Sequence, residues 1–326
     1  MSAGGSIPYH LRQNKAIERN LFVDLLARVG RFKNISDYSY IGFGGPFLED
    51  FKHLHSALRI SRMVSLEMDS NVFLRQKFNK PLSCIELRNE SSDEFLSDYE
   101  FDSAEGSIVW FDYATPDITT QLTEVQRLTA KLGHGDVFKV TLNANPASLG
   151  NPTDASDLRE HRAREVMRKL SSYSPAQVSA DDVTPKNYPS VLLHALMSAA
   201  KHGLEGDPGL IIQPLTAFVY SDGQQMLTMT GILLREDEVE AFLAETRLKH
   251  WTFFNETCKV PTSISVPALS ARERVHIESM LPGATVANIY DDLQFYAGSN
   301  QRVAGEEMEN FINFYRLFPW YSRVVL

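Results

Sequence analysis

Short apolar β-like runs alternate with helical segments through residues 14–142, and this alternation constrains the fold more than any other feature of the sequence. A helical segment with one apolar face comes first, at residues 14–29. The β-like runs follow at residues 38–45, 62–69, 83–88, 107–112 and 136–142. Strands that alternate with helices are typical of a parallel sheet covered on both faces. The sequence therefore predicts an α/β fold with a mostly parallel sheet.

The pattern changes after residue 142. A turn-rich loop at 143–156 leads into a charged helix at 157–170, and an apolar helix follows at 189–202. Two β-like runs then lie within residues 210–234, on either side of Ser221-Asp222-Gly223. Asp-Gly between two apolar runs is a strong signal for a β-hairpin. We therefore expect the sheet to end in an antiparallel pair.

The length of 326 residues is enough for about two structural units. From residue 249 an aromatic-rich stretch is followed by helices, one of which opens with the capping box Ser270-Ala-Arg-Glu273. We predict a main domain over residues 1–248, with a helical insertion at about 150–205. A small α-rich C-terminal module is predicted over residues 249–326.

The charge balance disfavours a protein that coats nucleic acid over its whole surface. The chain has 32 basic and 41 acidic residues, a net charge of −9. One basic cluster lies on the charged helix, at residues 159–169, where it would receive an anionic substrate such as RNA or DNA. Acidic residues on the same helix favour a salt-bridged surface instead.

Cys84 and Cys258 lie far apart and belong to no metal-binding motif, so we expect two buried free thiols and no metal site. The first six residues lack a basic-then-apolar signal, and no apolar run approaches 18 residues. These features predict a cytoplasmic protein without membrane contact.

The first β-like run ends in the glycine loop Gly42-Phe-Gly44-Gly45, which presents bare backbone at the carboxyl edge of the sheet, where ligands bind. Phe47 occupies the sixth position of a dinucleotide fingerprint, and the Gly-Lys-Ser/Thr ending of a phosphate-binding loop is absent from the sequence. An adenosyl ligand without phosphates fits better. Pro46 is expected to begin the next helix.

Polar residues follow the next three strands in the order that such a ligand requires. Glu67 ends the second strand, where its carboxylate accepts hydrogen bonds from ribose hydroxyls, and Met68 offers an apolar surface to adenine. Asn89, Glu90 and Ser91 follow the third strand and are predicted to meet the adenine amino group. The fourth strand ends in Asp112 and Tyr113, where a methyl group transferred from the ligand would lie.

The segments YIGFGG, SLEMDSNVFLRQKFN, IELRNESSDEFL and SIVWFDYATP, taken in this order, resemble class I S-adenosylmethionine-dependent methyltransferases over residues 35–235. The resemblance implies a Rossmann-like sheet with S-adenosyl-L-methionine as the cofactor. It places the ribose at Glu67 and the adenine beside Asn89, Glu90 and Ser91. Asp112 would also contact the cofactor, where it borders the reaction site together with Tyr113. The methionine end of the cofactor would lie beside Gly42, Gly44 and Gly45. Its carboxylate would pair with a basic residue before or within the first helix, Arg12 or Lys15.

Two positions depart from the family pattern. Tyr40 stands where these enzymes usually carry an acid, so the amino group of the cofactor needs another anchor. The fourth strand end also lacks the Asp/Asn-Pro-Pro-Tyr/Phe tetrad of enzymes that methylate exocyclic amino groups. At this strand end, Asp112 is predicted to orient or deprotonate the acceptor, and Tyr113 to stack on a planar one.

Three functions follow from this reading. A methyltransferase that acts on a small molecule or protein is favoured over a nucleic-acid methyltransferase and over a non-catalytic, partner-binding subunit. The C-terminal aromatic residues suggest either a satellite core or an interface for a homodimer or protein partner. They are Phe311, Phe314, Tyr315, Phe318, Trp320 and Tyr321.

Overall fold

The computed structural model describes residues 12–101, 105–152 and 157–318, and eight strands in these ranges form one sheet. The strands lie in the order β3-β2-β1-β4-β5-β7-β6-β8. Their bounds are β1 Ser39–Phe43, β2 Arg62–Leu66, β3 Ile85–Arg88, β4 Ser107–Asp112, β5 Val137–Asn143, β6 Leu210–Ser221, β7 Gln225–Arg235 and β8 Thr262–Ile264.

Strands β1 to β5 are parallel, and β7 runs antiparallel to both β5 and β6. The turn between β6 and β7 contains Asp222 and Gly223, whose φ of 105° lies in the region that favours glycine. The predicted Rossmann-like, mostly parallel sheet with a terminal antiparallel hairpin is therefore confirmed.

Helices cover both faces of this sheet, because each face is lined by apolar side chains that need a partner. One core contains residues of α1 (Gln13–Val29), α2 (Glu49–Leu58) and α8 (Val239–Thr246). The other contains residues of α4 (Ser92–Asp98), α5 (Ile118–Lys131), α6 (Leu158–Leu170) and α7 (Tyr188–Gly203). Helix α3 (Ser70–Asn79) connects β2 to β3 and buries only Gln76 fully.

The C-terminal segment joins the same sheet and the same core as α1. Its three helices are α9 (Ala271–Met280), α10 (Val286–Leu293) and α11 (Gln301–Phe314). Strand β8, a three-residue strand that lies parallel to β6 at the sheet edge, is not predicted by the sequence pattern. A strand this short carries almost no period, so only its pairing reveals it. The division at residue 248 stays a prediction.

The aromatic residues near the C-terminus lie mostly in this core. Phe311, Phe314 and Phe318 are buried, and Tyr315 packs against the same cluster. Trp320 and Tyr321 lie outside the described residues. The arrangement favours the satellite-core interpretation for the described aromatics, while a homodimer or protein partner stays a prediction.

Both cysteines are free, but only Cys258 is fully buried, and burial raises the pKa of its thiol to about 12. Cys84 is partly exposed, so its predicted burial is wrong. No group of three or more His, Cys, Asp or Glu side chains within the described residues is placed to hold a metal ion. The described helices include none that is both long and apolar enough to cross a membrane.

Candidate active site

The carboxyl ends of β2, β1 and β4 lie side by side, because β1 pairs with both of the other strands. The glycine loop after β1 therefore lies between Glu67 after β2 and Asp112 at the end of β4. Neighbouring strands are about 4.8 Å apart, so β2 and β4 are about 10 Å apart. Asn89, after β3, lies one strand beyond Glu67. The strand ends singled out in the sequence thus meet at one edge.

The glycine loop forms a tight turn before α2. The amide of Leu48 donates to the carbonyl of Gly44 at 3.0 Å, and Gly45 and Leu48 have φ values of 51° and 54°. Helix α2 begins at Glu49, so the expectation that Pro46 begins it is wrong. Two left-handed residues close a turn first, and helical φ and ψ start only after it.

The three glycines of the loop serve different purposes. A Cβ on Gly42 would lie 2.8 Å from the Tyr40 hydroxyl, and one on Gly44 would lie 2.3 Å from Leu48 Cδ2. A Cβ at either position would therefore force its neighbours to move, so packing favours glycine there. A Cβ on Gly45 would meet nothing within 4 Å, so the backbone there faces open space where a ligand can approach.

Glu67 is half-buried at the end of β2, and Met68 beside it exposes 76% of its surface. Glu67 Oε1 accepts a hydrogen bond from the amide of Asp69 at 2.9 Å. Burial raises the pKa of the Glu67 carboxyl, and the hydrogen bond from Asp69 opposes that shift. A carboxylate beside an exposed apolar side chain suits a ligand with a diol next to a flat ring.

The residues after β3 already have structural partners. The Asn89 amide donates to the Glu67 carbonyl at 2.7 Å and ties the ends of β2 and β3 together. Ser91 caps α4 in a capping box with Glu94. Glu90 Oε1 lies 3.6 Å from Arg88 Nη1. Their predicted contacts with adenine stay predictions.

Asp112 points toward α1 and is 20% exposed. Its Oδ2 accepts from Arg19 Nη2 at 2.7 Å and lies 3.4 Å from Lys15 Nζ. Burial alone would raise the pKa of this carboxyl, but Lys15, Arg19 and Lys139 hold it well below its usual range. The neighbouring cations thus favour the charged form of Asp112, which accepts hydrogen bonds at the edge of the sheet.

Tyr113 points to the opposite face of the sheet and is 8% exposed. Its hydroxyl donates to Glu124 Oε2, which also accepts from Ser92. Burial, followed by the Glu124 charge, raises the pKa of the Tyr113 phenol. The structure therefore separates the two predicted catalytic residues onto different faces, and the catalytic role of Tyr113 stays a prediction.

The start of α1 is held against the β6–β7 turn. The backbone amide of Lys15 donates to Asp222 Oδ2 at 2.7 Å, and the Asn14 side chain donates to the Ser221 carbonyl at 3.0 Å. Arg12 lies at the N-cap of the helix and is half-buried. This contact places the Lys15 side chain beside Asp112. Its pairing with the carboxylate of the cofactor stays a prediction.

Buried charged side chains, which were not among the predicted site residues, lie behind Asp112. Arg19 and Glu18 of α1, Asp50 of α2 and Lys139 of β5 form one cluster with Lys15 and Asp112. A signal exists in the sequence: Lys139 stands inside an apolar strand, and Arg19 follows Lys15 by one helical turn. We call these six residues the α1 charge cluster.

The basic residues of α6 are partly neutralised on the surface. Arg168 pairs with Glu165 at 2.8 Å, and Arg159 lies 3.6 Å from Asp181. Arg162 donates to the Gly150 carbonyl at 3.1 Å. These contacts favour the salt-bridged surface helix over a phosphate-binding strip.

Comparison with known proteins places this geometry in context. The model of a protein family described as "Putative O-methyltransferase" matches residues 7–326. Similar solved structures include Trm1 from Pyrococcus horikoshii with S-adenosyl-L-methionine, at 11% identity and a TM-score of 0.44, covering 68% of this chain and 55% of that one. A putative O-methyltransferase from Klebsiella pneumoniae is 12% identical with a TM-score of 0.36, and the match covers 70% of this chain and 90% of that one.

The O-methyltransferase TomG from Streptomyces achromogenes is 15% identical with a TM-score of 0.35, and the match covers 66% of this chain and 79% of that one. No protein of curated function matches the sequence. The family match extends over nearly the whole chain, including the C-terminal segment that joins the sheet.

Proposed function

We propose a hydroxyl group of a small molecule as the methyl acceptor of this chain, which belongs to the putative O-methyltransferase family. The chain is an S-adenosylmethionine-dependent methyltransferase of the Rossmann-like class I superfamily. Membership of an enzyme family leaves no support for the alternative of a non-catalytic subunit.

One observation carries the proposal for the site: Glu67, the open backbone at Gly45, and Asp112 lie in this order along one sheet edge. S-adenosylmethionine supplies an activated methyl group on a sulfonium sulfur. Glu67 would accept from the ribose hydroxyls, and Met68 would contact the adenine. Lys15 would pair with the carboxylate at the methionine end, beside Gly45.

Asp112 is the group at this edge that can act on an acceptor. Its low pKa makes it a weak base, so it would orient a hydroxyl by accepting its hydrogen bond rather than hold the proton. We also assign to Asp112 the anchoring of the amino group of the cofactor, since Tyr40 supplies no charge at the position where the family usually carries an acid. Both roles need an ionised carboxylate in a fixed orientation.

The charges of the chain support a small acceptor over a nucleic acid. The net charge is −9, and the α6 arginines at 159 and 168 lie beside acidic partners. A protein that grips a phosphate backbone needs unneutralised basic side chains along the strand.

Cofactor binding followed by radiolabelled methyl transfer tests the proposal. S-adenosylhomocysteine should bind in calorimetry, and label should enter phenols or alcohols in a panel that also contains RNA, DNA and protein. Asp112→Asn should lower transfer at least tenfold, whereas the exposed control Asp291→Asn should not. Absence of cofactor binding, or label in nucleic acid or protein alone, would contradict the proposal.

A further inference from the structure

The guanidinium of Arg19 lies directly behind Asp112 and is fixed from three sides. Nη2 donates to Asp112 Oδ2 at 2.7 Å, and Nη1 donates to Glu18 and to the Tyr220 hydroxyl, each at 3.0 Å. The guanidinium carbon also lies 4.5 Å from the centre of the Trp110 ring. Arg19 is 2% exposed, so it does not itself reach a ligand.

The α1 charge cluster is balanced: its three cations face three carboxylates. Lys139 Nζ lies 2.6 Å from Glu18 Oε1 and 3.6 Å from the centre of the Trp110 ring, and Asp50 Oδ1 lies 3.5 Å from Arg19 Nε. Buried charges are costly unless each is paired, so removal of one member leaves another uncompensated.

Exposure within the cluster increases toward the sheet edge. Lys139, Arg19 and Glu18 have side chains at most 2% exposed, whereas those of Lys15 and Asp112 are each 20% exposed. The cluster therefore has a buried base and an accessible end, and that end coincides with the predicted methionine site. The side-chain hydrogen bonds and ion pairs of Asp112 with Lys15 and Arg19 all use Oδ2.

We infer that Arg19 is the positioning residue of Asp112: it fixes Oδ2 from within the core and keeps the carboxylate charged, which leaves Oδ1 for the ammonium group of the cofactor. This inference rests on the proposed function, which assigns Asp112 to that end of the site. The groups that face Asp112 come from four elements: Lys15, Glu18 and Arg19 of α1, Asp50 of α2, Lys139 of β5 and Tyr220 of β6.

The test compares two ligands in calorimetry. S-adenosylhomocysteine carries the amino-acid end, and 5′-methylthioadenosine lacks it. Arg19→Met should weaken binding of S-adenosylhomocysteine more than tenfold and binding of 5′-methylthioadenosine less than threefold. Arg19→Lys, which keeps the charge but loses the planar fork, should fall between wild type and Arg19→Met. Arg28→Met is the matched control, since Arg28 lies on the same helix over another tryptophan, Trp251.

The pH dependence separates positioning from a purely structural role. The ratio of the wild-type affinities for S-adenosylhomocysteine and 5′-methylthioadenosine should stay constant from pH 7 to 4.5, since titration of Glu67, whose pKa is raised, affects the ribose contact of both ligands. In Arg19→Met this ratio should fall within that interval, because loss of the cation leaves Asp112 beside an excess of negative charge and raises its pKa. In an Asp112→Asn background, Arg19→Met should cause no further loss of affinity for S-adenosylhomocysteine.

The remaining outcomes distinguish failure of the proposed function from failure of the positioning role of Arg19. Wild type that binds neither ligand would overturn the proposed function itself. Wild type that binds both, with Arg19 variants that weaken both ligands equally and leave the pH profile unchanged, would overturn only the positioning role. If Arg19→Met does not fold by circular dichroism, Arg19→Lys and the wild-type pH profile decide: a wild-type ratio of affinities for S-adenosylhomocysteine and 5′-methylthioadenosine that falls between pH 7 and 4.5 contradicts the inference.

Discussion

The hydroxyl of Tyr113 donates a hydrogen bond to Glu124 Oε2, 2.5 Å away, on the face of the sheet opposite to Asp112. The same oxygen accepts from Ser92, the first residue of α4, at 2.6 Å. Glu124 thus joins the end of β4 to the helix that follows the predicted adenine loop. Successive residues of a strand point to opposite faces, so Asp112 and Tyr113 cannot both face α1.

Replacement of Tyr113 by Phe tests whether this residue is catalytic. We expect methyl transfer within threefold of wild type, since the hydroxyl is held by Glu124 in the core. The free energy of unfolding should fall by about 1–3 kcal/mol, because a buried acceptor loses a donor. Transfer assays and urea titrations measure the two effects. A hundredfold loss of kcat with unchanged stability would restore Tyr113 to a catalytic role.

Glu67→Gln should weaken binding of S-adenosylhomocysteine about 10–100-fold, because hydrogen bonds from the ribose to a charged acceptor contribute about 1.5–3 kcal/mol. Calorimetry measures the change, and Glu86→Gln is the control, since Glu86 on β3 is 57% exposed and pairs with Arg88. Equal affinities of wild type and Glu67→Gln would remove Glu67 from the site.

Replacement of Gly44 and of Gly45 by alanine should affect stability and cofactor binding differently. Gly44→Ala should lower the free energy of unfolding by about 1–3 kcal/mol, since its Cβ would overlap Leu48 and Ser65. Gly45→Ala should lower the free energy of unfolding by about 1–2 kcal/mol because of its positive φ alone. It should also weaken binding of the cofactor, because the new methyl group enters open space at the site. Thermal unfolding and calorimetry separate the two. Gly45→Ala with unchanged affinity would place the ligand elsewhere.

Because the pKa of Asp112 is lowered, we expect the stability of the fold to depend on pH. Because its folded-state pKa lies below the ordinary 3.8, the charged form stabilises the fold above that pH, and this contribution is lost as the pH falls below it. The difference in free energy of unfolding between wild type and Asp112→Asn should be full at pH 6 and should shrink toward pH 3. Urea titrations at several pH values measure it. A difference that does not change with pH would contradict the ion pairs with Arg19 and Lys15.

Phe311→Ala tests whether the C-terminal segment shares one core with the rest of the chain. Phe311 is fully buried in the cluster that includes Leu21 and Leu25 of α1, so we expect a loss of about 3–5 kcal/mol. Unfolding should remain a single transition, and Val275→Ala, at a position 56% exposed, should change little. Two separate transitions would support an independent module over residues 249–326.

Much of the fold follows from the sequence because its signals are local. Short apolar runs located the strands β1 to β5, and the Asp222-Gly223 turn located the terminal hairpin. The charged helix α6 and the capping box at Ser270 were also predicted with nearly correct bounds. Strand β8 and the start of α2 escaped, since a three-residue strand and a left-handed turn leave no periodic trace.

The polar strand ends can be identified from local sequence: Glu67, Asn89 and Asp112 lie at the ends of apolar runs whose carboxyl ends must meet at one edge of a parallel sheet. The surroundings of these residues depend on how distant elements pack together. The α1 charge cluster draws its members from α1, α2, β4 and β5, and no period or spacing pairs Arg19 with a carboxylate 93 positions away. Pairing of buried charges depends on distances between elements, and those are set by the packing of the whole core.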